Sequence, residues 1–321
     1  AKDIRVVVIN DLGDIENLAY LLRYDSVYGK IAVKVEVAEK TAQGGVLVCE
    51  GKRVAFSQIK DPAALPWKEM NIDIVVEATG VFESYERSQA HLKAGAKRVV
   101  ITAPAKDEDR DEFKTILMGV NEEHLKTCLI TSNGSCTTNA AAPIVQILSE
   151  NPGILKAALN TVHGYTATQN LVDGPTRGKD FRRGRAGAHN IVPSSTGAAI
   201  AVTRAIADLQ GKFDGIALRV PALTGSIADI TFLAARKTSP QEINDLLTRA
   251  SREPRWQGIL KVSRDPLVSS DIVGEPYGAI VDLESTRVID GDLVKVLSWY
   301  DNEWGYVATL IQHVKAAAAT L

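Results

Sequence analysis

The sequence lacks the cysteine and histidine patterns of metal sites and disulfide frameworks. It has three cysteines, Cys49, Cys128 and Cys136, and no C-x-x-C pair, and its five histidines do not show the spacing of zinc ligands. We therefore expect no zinc site. An odd number of widely separated cysteines is typical of free thiols in a reducing compartment, so the sequence predicts a cytoplasmic protein.

Long apolar runs and an excess of one charge are missing as well. No apolar stretch approaches the roughly 18 residues that a membrane span needs, and we expect neither a membrane segment nor a signal peptide. The 37 basic and 39 acidic residues give a formal net charge of −2 and are mixed along the chain. No overall field attracts nucleic acid or a membrane surface, and an anionic substrate would need local arginines.

The first half of the sequence alternates short apolar runs with helical periodicity. Ile4–Ile9 is a continuous apolar run, which is typical of a strand buried in a parallel sheet, and Asp14 is placed to cap the helix that follows. Further strands are predicted at Ile72–Val76, Arg98–Thr102 and Cys128–Thr131. This alternation predicts an α/β domain with a Rossmann-like, doubly wound parallel sheet.

The second half has longer apolar runs that follow one another directly, which predicts a mostly antiparallel sheet. Asp290-Gly291 between two such runs is a type I′ hairpin signal. Ser239 and Glu242 flank Pro240 as a helix-starting capping box, and Val307–Val314 has the pattern of an amphipathic helix. The whole chain is therefore predicted as α/β plus α+β, in two domains.

Cys136 is the candidate nucleophile. The segment Ser132–Asn139 (SNGSCTTN) follows a predicted strand and precedes a predicted helix, so Cys136 is expected at a helix N-terminus, where the dipole and free N–H groups stabilise a thiolate. Ser135 and Thr137 are residue types that bind an anion at such a place. The alternative is that Cys136 is a small buried residue, as we interpret Cys49 and Cys128.

His163 ends a predicted strand and is a candidate base for this thiol, although a histidine there is also compatible with a purely structural role. Arg182, Arg183 and Arg185 crowd one glycine-rich loop. They form either a solvated charged face or a binding site for phosphate.

Five segments together resemble the glyceraldehyde-3-phosphate dehydrogenase family. They are SNGSCTTN, TVHGYTATQNLVDGP from Thr161, NIVPSSTGAA from Asn190, RVP from Arg219 and SWYDNEWGY from Ser298. The resemblance covers essentially the whole chain and implies NAD-dependent oxidation and phosphorylation of glyceraldehyde 3-phosphate. It implies that Cys136 forms a thiohemiacetal and then a thioester, and that His163 is the base.

The resemblance also implies the binding sites. Thr166 and Arg219 resemble the site for the phosphate group of the substrate, and Ser135, Thr196 and Gly197 resemble the site for inorganic phosphate. Arg185 lies in the matching arginine loop and is left unassigned between the two sites. The cofactor would contact Asn10, Asp11, Thr79, Gly80, Thr102 and Asn302, and a carboxylate at Asp11 favours NAD over NADP.

The same resemblance implies a domain division and an assembly. Residues 1–134 and 303–321 would form the dinucleotide-binding domain and residues 135–302 the catalytic domain, in a homotetramer. It further implies a first strand, a G-x-G-x-x-G turn and a first helix ahead of Asn10, and the sequence contains none of them. We predict that the printed sequence begins after these elements or that it binds NAD poorly.

Two alternatives remain at this point. One is a relative that keeps the scaffold but has lost redox turnover and acts as a binding or structural protein. The other is a dehydrogenase that acts on erythrose 4-phosphate instead of the three-carbon sugar.

Overall fold

The structure is a computed structural model that describes residues 3–176 and 178–321. The strands of the amino-terminal part are β1 (Val8–Asn10), β2 (Tyr24–Asp25), β3 (Gly29–Lys30), β4 (Val35–Thr41), β5 (Gly44–Cys49), β6 (Lys52–Ser57), β7 (Ile74–Glu77), β8 (Arg98–Ile101), β9 (Phe113–Thr115) and β10 (Ile130–Ser132). Its helices are α1 (Ile15–Arg23) and α2 (Tyr85–Lys93).

The elements that follow are α3 (Cys136–Glu150), β11 (Ile154–Gly164), β12 (Val192–Ser195), α4 (Ala198–Ala205), β13 (Phe213–Val220), β14 (Ser226–Ala234), α5 (Pro240–Ala250), β15 (Leu260–Ser263), β16 (Ala279–Ile289), β17 (Leu293–Tyr300) and α6 (Trp304–Ala318). No helix in the described part of the chain is long and apolar enough to cross a membrane.

The amino-terminal strands form two main sheets. Strands β7, β8, β10 and β9 lie side by side, and every pair in this sheet is parallel, as predicted. Strand β1 pairs in parallel with β6, which continues through the antiparallel strands β5 and β4. The outer edges of β1 and β7 pair with no strand among residues 3–176 and 178–321.

The predicted strand Ile4–Ile9 is wrong in its bounds and its burial. The observed strand β1 starts only at Val8, and the side chains of Val6 and Ile9 are 54% and 38% exposed. The burial of β1 alternates by face: Val8 packs against an apolar cluster, whereas Ile9 points to the opposite face of the sheet and stays exposed. Whether NAD binds poorly to this arrangement stays a prediction.

Polar residues cap the first two helices, and the cap predicted at Asp14 is confirmed. The Asp14 carboxylate accepts hydrogen bonds from the N–H groups of Glu16 and Asn17 at the start of α1. Ser84 caps α2 in the same way, and Gly95, with φ of 108°, follows its end. These contacts satisfy free N–H groups of the first turn, which is why short polar residues start helices.

The carboxyl-terminal part is built on a seven-stranded sheet in the order β12-β13-β11-β14-β17-β16-β15. Four of its six strand pairs are antiparallel, while β11 with β13 and β15 with β16 are parallel. Helix α3 packs on one face through buried apolar residues that include Ile144, Leu148, Leu159 and Ile230. The turn between β16 and β17 has positive φ at both Asp290 and Gly291, so the hairpin prediction is confirmed.

Two further predictions meet different outcomes. The Ser239 hydroxyl caps α5 by accepting from the Glu242 N–H, but the Glu242 side chain binds Thr238 and Arg236 instead of returning to Ser239. The capping box is therefore only half formed. The last helix, α6, returns to the amino-terminal sheet, where His313 bonds to Thr131 at 2.8 Å.

Candidate active site

Cys136 is the first residue of α3, as the sequence predicted. The Ser135 hydroxyl accepts a hydrogen bond from the Thr138 N–H, and Thr138 Oγ1 accepts one from the Ser135 N–H, which completes a capping box. This cap fixes the start of the helix, and it leaves the half-buried Cys136 thiol at the end of the helix that carries the partial positive charge.

His163 lies beside this thiol, with its Nε2 3.3 Å from Cys136 Sγ. Its Nδ1 lies 2.6 Å from the Gly164 carbonyl oxygen, which can only accept. The neutral tautomer with its proton on Nδ1 donates to Gly164 and leaves Nε2 free to take the thiol proton. Arg219 Nη1, which can only donate, lies 2.8 Å from the same Nδ1 and opposes a proton there. Strand β11 supplies this geometry, because His163 is its penultimate residue and is paired with Arg219 of β13, while the pairing of β11 with β14 extends up to Val162.

Electrostatics favour the uncharged form of this pair. Burial raises the pKa of the Cys136 thiol, although Arg219 and the Thr137 N–H act in the opposite direction. Burial, with the nearby charge of Arg219, lowers the pKa of His163 to about 4. Both pKa directions favour an uncharged pair, and the thiolate expected at the helix start stays a prediction.

Arg219 faces His163 across two adjacent strands. The two residues are direct partners in the parallel pairing of β13 with β11. Arg219 Nη1 lies 2.8 Å from His163 Nδ1 and donates to the Gly164 carbonyl oxygen at 3.1 Å. Its Nε is buried and has no hydrogen-bond partner among the described residues. An anion would satisfy this unpaired donor and balance a buried cation.

The residues expected at phosphate sites lie either at a cavity or at the start of a helix. The Thr166 hydroxyl bonds to Thr168 and the residue lines a cavity of about 510 Å³. Thr196 and Gly197 form the turn before α4, where the Thr196 hydroxyl accepts from the Ala198 N–H. The Ser135 hydroxyl already serves as the helix cap, so an anion there would share it.

The side chains of Thr137 and Arg185 are bonded to other residues of the chain, and their roles in anion binding stay predictions. The Thr137 side chain is buried and its hydroxyl bonds to the Tyr300 hydroxyl at 2.8 Å. Both the N–H and the hydroxyl of Thr137 also act on the Cys136 thiol and lower its pKa. The Arg185 side chain is exposed and pairs with Asp173 at 2.7 Å. Adjacent residues of a helix point about 100° apart, so the Thr137 side chain extends in a different direction from that of Cys136, toward Tyr300.

The expected cofactor residues stand at the carboxyl ends of parallel strands. Asp11 follows β1 and is exposed, with one carboxylate oxygen accepting from the Gly13 N–H. Thr79 and Gly80 follow β7, and Thr102 follows β8 and donates from its N–H to the Glu77 carbonyl. The Asn10 side chain is turned away, because its amide bonds to Ser57 and Ile59 of the neighbouring segment.

Asn302 has the fixed orientation that a carboxamide-binding residue needs. Its Oδ1 accepts from the Thr224 and Ser226 hydroxyls and the Gly225 N–H. Its Nδ2 makes no hydrogen bond within the described ranges, so the amide presents a donor. The Ser226 hydroxyl also accepts from the Gly164 N–H, which links Asn302 to the residue after His163. A donor held in this way fits the amide oxygen of a nicotinamide.

Comparisons with known proteins agree with this site. Residues 135–302 match the family model described as glyceraldehyde 3-phosphate dehydrogenase, C-terminal domain, and residues 1–85 match its NAD binding domain. The chain belongs to the glyceraldehyde-3-phosphate dehydrogenase family. The sequence-based identification of this family, of an NAD-dependent oxidoreductase and of the two-part fold is therefore confirmed.

The relatives cover nearly the full length of the chain. Glyceraldehyde-3-phosphate dehydrogenase 2 of Streptomyces avermitilis is 43% identical over 96% of this chain and 89% of the relative. Glyceraldehyde-3-phosphate dehydrogenase of Mycobacterium tuberculosis is 45% identical over 99% of this chain and 91% of the relative. The protein of that name from Mycolicibacterium smegmatis is 44% identical with the same coverage.

Arg183 is a site residue that sequence reasoning left without a role in this dehydrogenase family member. Its Nη1 donates to the Thr168 hydroxyl at 3.0 Å, and its Nε donates to the Ser194 hydroxyl at 3.0 Å. The charge of Arg183 also contributes to the lowered pKa of His163. The arginine cluster was the available signal, but spacing alone could not tell which arginine turns inward.

Proposed function

We propose that the chain oxidises glyceraldehyde 3-phosphate with NAD and phosphorylates it to 1,3-bisphosphoglycerate. The observation that carries this proposal is the Cys136 thiol 3.3 Å from His163 Nε2 at the start of α3. A nucleophile within reach of a neutral base is the arrangement that covalent catalysis requires.

The chemistry of these two residues proceeds in three steps. Cys136 Sγ bonds to the aldehyde carbon as its proton passes to His163, which protonates the carbonyl oxygen to give a thiohemiacetal. His163 then takes the hydroxyl proton back as the carbonyl reforms and a thioester remains on Cys136. NAD bound at Asp11, Thr79, Gly80, Thr102 and Asn302 would supply the acceptor for the hydride released in that step. Inorganic phosphate attacks the thioester, the acyl phosphate leaves and Cys136 recovers a proton from His163.

Arg219 and Thr166 are proposed to hold the phosphate group of the substrate, with Arg183 supporting Thr166 through Thr168. Ser135, Thr196 and Gly197 are proposed to hold the attacking inorganic phosphate. Asp11, Thr79, Gly80, Thr102 and Asn302 are proposed for NAD, and Asn10 supports Asp11 by fixing the end of β1.

The test is NADH formation from glyceraldehyde 3-phosphate, followed by absorbance with and without inorganic phosphate. Without phosphate we expect a burst of about one NADH per active site, because the thioester accumulates. Added phosphate should then start steady turnover. Cys136→Ser is the matched control and should bind NAD without a burst. Steady NADH formation without phosphate, and without hydrolysis of the thioester to the free carboxylic acid, would contradict the proposed order of steps.

A comparison of kcat/KM for the two sugar phosphates separates the substrates. A higher value for erythrose 4-phosphate would replace the proposed substrate, and no NADH with either sugar would support a redox-inactive relative.

Three further features belong to the proposal. We propose the domain division 1–134 plus 303–321 and 135–302, since α6 bonds to the amino-terminal sheet. We propose a cytoplasmic location from the free thiols of Cys49, Cys128 and Cys136. We propose a homotetramer, supported by exposed apolar side chains that include Leu171, Phe181 and Ile191.

A further inference from the structure

A buried acidic residue lies beneath the Thr79–Gly80 loop. Glu77 is the last residue of β7 and is 4% exposed. Its Oε1 accepts hydrogen bonds from the Thr79 N–H at 2.7 Å and from the Thr79 hydroxyl. Its backbone oxygen accepts from the Thr102 N–H at 3.0 Å and from the Thr102 hydroxyl at 3.1 Å. One residue therefore holds both threonines that sequence analysis placed at the cofactor groove.

The second carboxylate oxygen of Glu77 is held by helix α2 and the segment before β7. His91 Nε2 lies 2.9 Å from Glu77 Oε2, and the Trp67 indole Nε1 lies 3.1 Å from His91 Nδ1. Because an indole N–H can only donate, Nδ1 must accept and the proton of the neutral ring lies on Nε2. His91 therefore donates to Glu77, and Trp67 selects the tautomer that allows it.

This chain of donors keeps Glu77 charged inside the protein. Burial raises the pKa of its carboxyl group, but hydrogen bonds from His91 and Thr79 outweigh burial and the pKa lies below its usual range. A buried charge of this kind is not an efficient source of stability, since an apolar group of similar size often serves as well or better. The carboxylate accepts two donors from Thr79, whereas the two donors of Thr102 go to the Glu77 backbone oxygen. The buried charge therefore points to a role in fixing the position of Thr79, while the backbone of the same residue holds Thr102.

We propose that Glu77, His91 and Trp67 are positioning residues for NAD, acting through Thr79 and Thr102. This inference rests on the proposed function, which places NAD along these two threonines. The array fixes Thr79 in the loop after β7 and Thr102 at the start of the segment after β8 before NAD binds. NAD binding then costs less ordering of the loops, which is the general advantage of a preformed site.

Glu77→Gln tests the array with almost no change of shape. The glutamine oxygen can face either the Thr79 donors or His91 Nε2–H, and its NH₂ group then meets a donor on the other side. Because one charge-assisted contact is lost in either orientation, we expect the Kd for NAD, measured by calorimetry, to rise about tenfold. KM for the aldehyde and kcat at saturating NAD should stay close to those of the natural protein.

A pair of His91 variants separates positioning from packing. His91→Gln keeps a donor for Glu77 and an acceptor for Trp67, so most of the NAD affinity should remain. His91→Leu removes both and should weaken NAD binding as Glu77→Gln does. Tyr85→Phe is the matched control on the same helix. Tyr85 is fully buried and its hydroxyl bonds to Asp109 at 2.8 Å, which is not part of the array of Glu77, His91 and Trp67. It should lower the Tm without changing the Kd for NAD.

The outcomes are distinct. Weaker NAD binding in Glu77→Gln and His91→Leu, with His91→Gln and Tyr85→Phe near the natural value, supports the inference. Variants that lose only thermal stability and bind NAD as tightly as the natural protein overturn it, while the proposed function stands. A natural protein that shows no heat of NAD binding overturns the proposed function itself.

Discussion

At the scale of single residues, the site holds a neutral thiol and a neutral imidazole next to an arginine. Burial is the main reason for both. At the imidazole Arg219 adds to it, because its charge lies 2.8 Å from the His163 ring nitrogen and disfavours a second proton on the ring, whereas the same charge lowers the pKa of the thiol. An anion bound to Arg219 would offset this charge. The contact that we propose for the substrate phosphate would therefore help His163 to accept the thiol proton when the substrate is present.

The alkylation of Cys136 by iodoacetamide should report this resting state. Because burial raises the pKa of the thiol, the rate in the free protein should still be climbing with pH above about 8.5, the ordinary thiol value. Mass mapping at each pH identifies the labelled cysteine, with Cys49 as the half-buried comparison. A plateau near neutral pH would indicate a preformed thiolate and imidazolium pair instead.

His163→Asn should lower kcat by about 10²–10⁴, the usual effect of losing a general base. The Kd for NAD should hardly change, because the described contacts of His163 are with Cys136, Arg219 and Gly164. Stopped-flow turnover and calorimetry give the two values. A variant that keeps most of its kcat would remove His163 from the mechanism.

Arg219→Ala should raise KM for the phosphorylated aldehyde about tenfold or more, since a charge-assisted bond to an anion contributes roughly 1.5–3 kcal/mol. KM for an unphosphorylated aldehyde should change much less. Arg183→Ala should have the same selectivity with a smaller effect, because Arg183 acts through the Thr168 hydroxyl. Arg185→Ala is the control, as its side chain pairs with Asp173 at the surface. Equal effects on both substrates would make Arg219 structural.

At the scale of elements, α6 joins the two parts of the chain through a buried histidine. His313 bonds through Nε2 to Thr131 at 2.8 Å and through Nδ1 to Asn133 at 3.0 Å. The Asn133 carbonyl in turn accepts from the Asn139 side chain in the first turn of α3. The end of the chain thus supports the loop that precedes Cys136.

This histidine predicts a specific acid sensitivity. Burial lowers the pKa of His313 to about 3, whereas the unfolded chain protonates it near about 6.5. The unfolded state binds more protons between these values, so the contribution of His313 is complete above about 6.5 and decreases as the pH falls, by up to about 1.4 kcal/mol per unit.

Urea unfolding between about pH 5 and 7 measures this effect. His313→Gln should flatten the decline in the free energy of unfolding, and His124→Gln should not, because the His124 side chain is 45% exposed. His163, whose pKa is lowered to about 4, contributes in the same direction. Part of the pH dependence of the free energy of unfolding should therefore remain in His313→Gln. An unchanged slope in His313→Gln would show that folding does not lower the pKa of His313.

At the scale of the whole molecule, large apolar side chains are exposed on the segment that carries the arginine loop. Leu171, Val172 and Phe181 are 77%, 73% and 80% exposed, and Ile191 is 69% exposed. Several such side chains on one segment are typical of a surface that is covered in an assembly.

If the proposed homotetramer uses this segment, Phe181→Asp should shift the mass measured by light scattering toward dimers or monomers, because an assembled interface would bury the new charge. Ile289→Asp is the matched control: Ile289 is 61% exposed but lies at the β16–β17 hairpin. A tetramer that persists in Phe181→Asp would place the interface elsewhere.

The sequence by itself determined the elements whose signals are local. Asp14 and Ser239 cap helices because each side chain accepts from N–H groups of the first turn that follows it in the sequence. The Asp290-Gly291 turn and the position of Cys136 at the start of α3 follow from a few adjacent residues in the same way. The family segments then supplied the roles, since each of them is a short and specific string.

The tertiary structure decided what depends on residues far apart in the chain. The proximity of Cys136 and His163, the direction of their pKa values and the inward turn of Arg183 all arise from strand pairing and loop closure. The array of Trp67, His91 and Glu77 joins three elements that no local pattern connects. Burial set these outcomes, because the loss of hydration and the choice of partner depend on what the fold packs around each group.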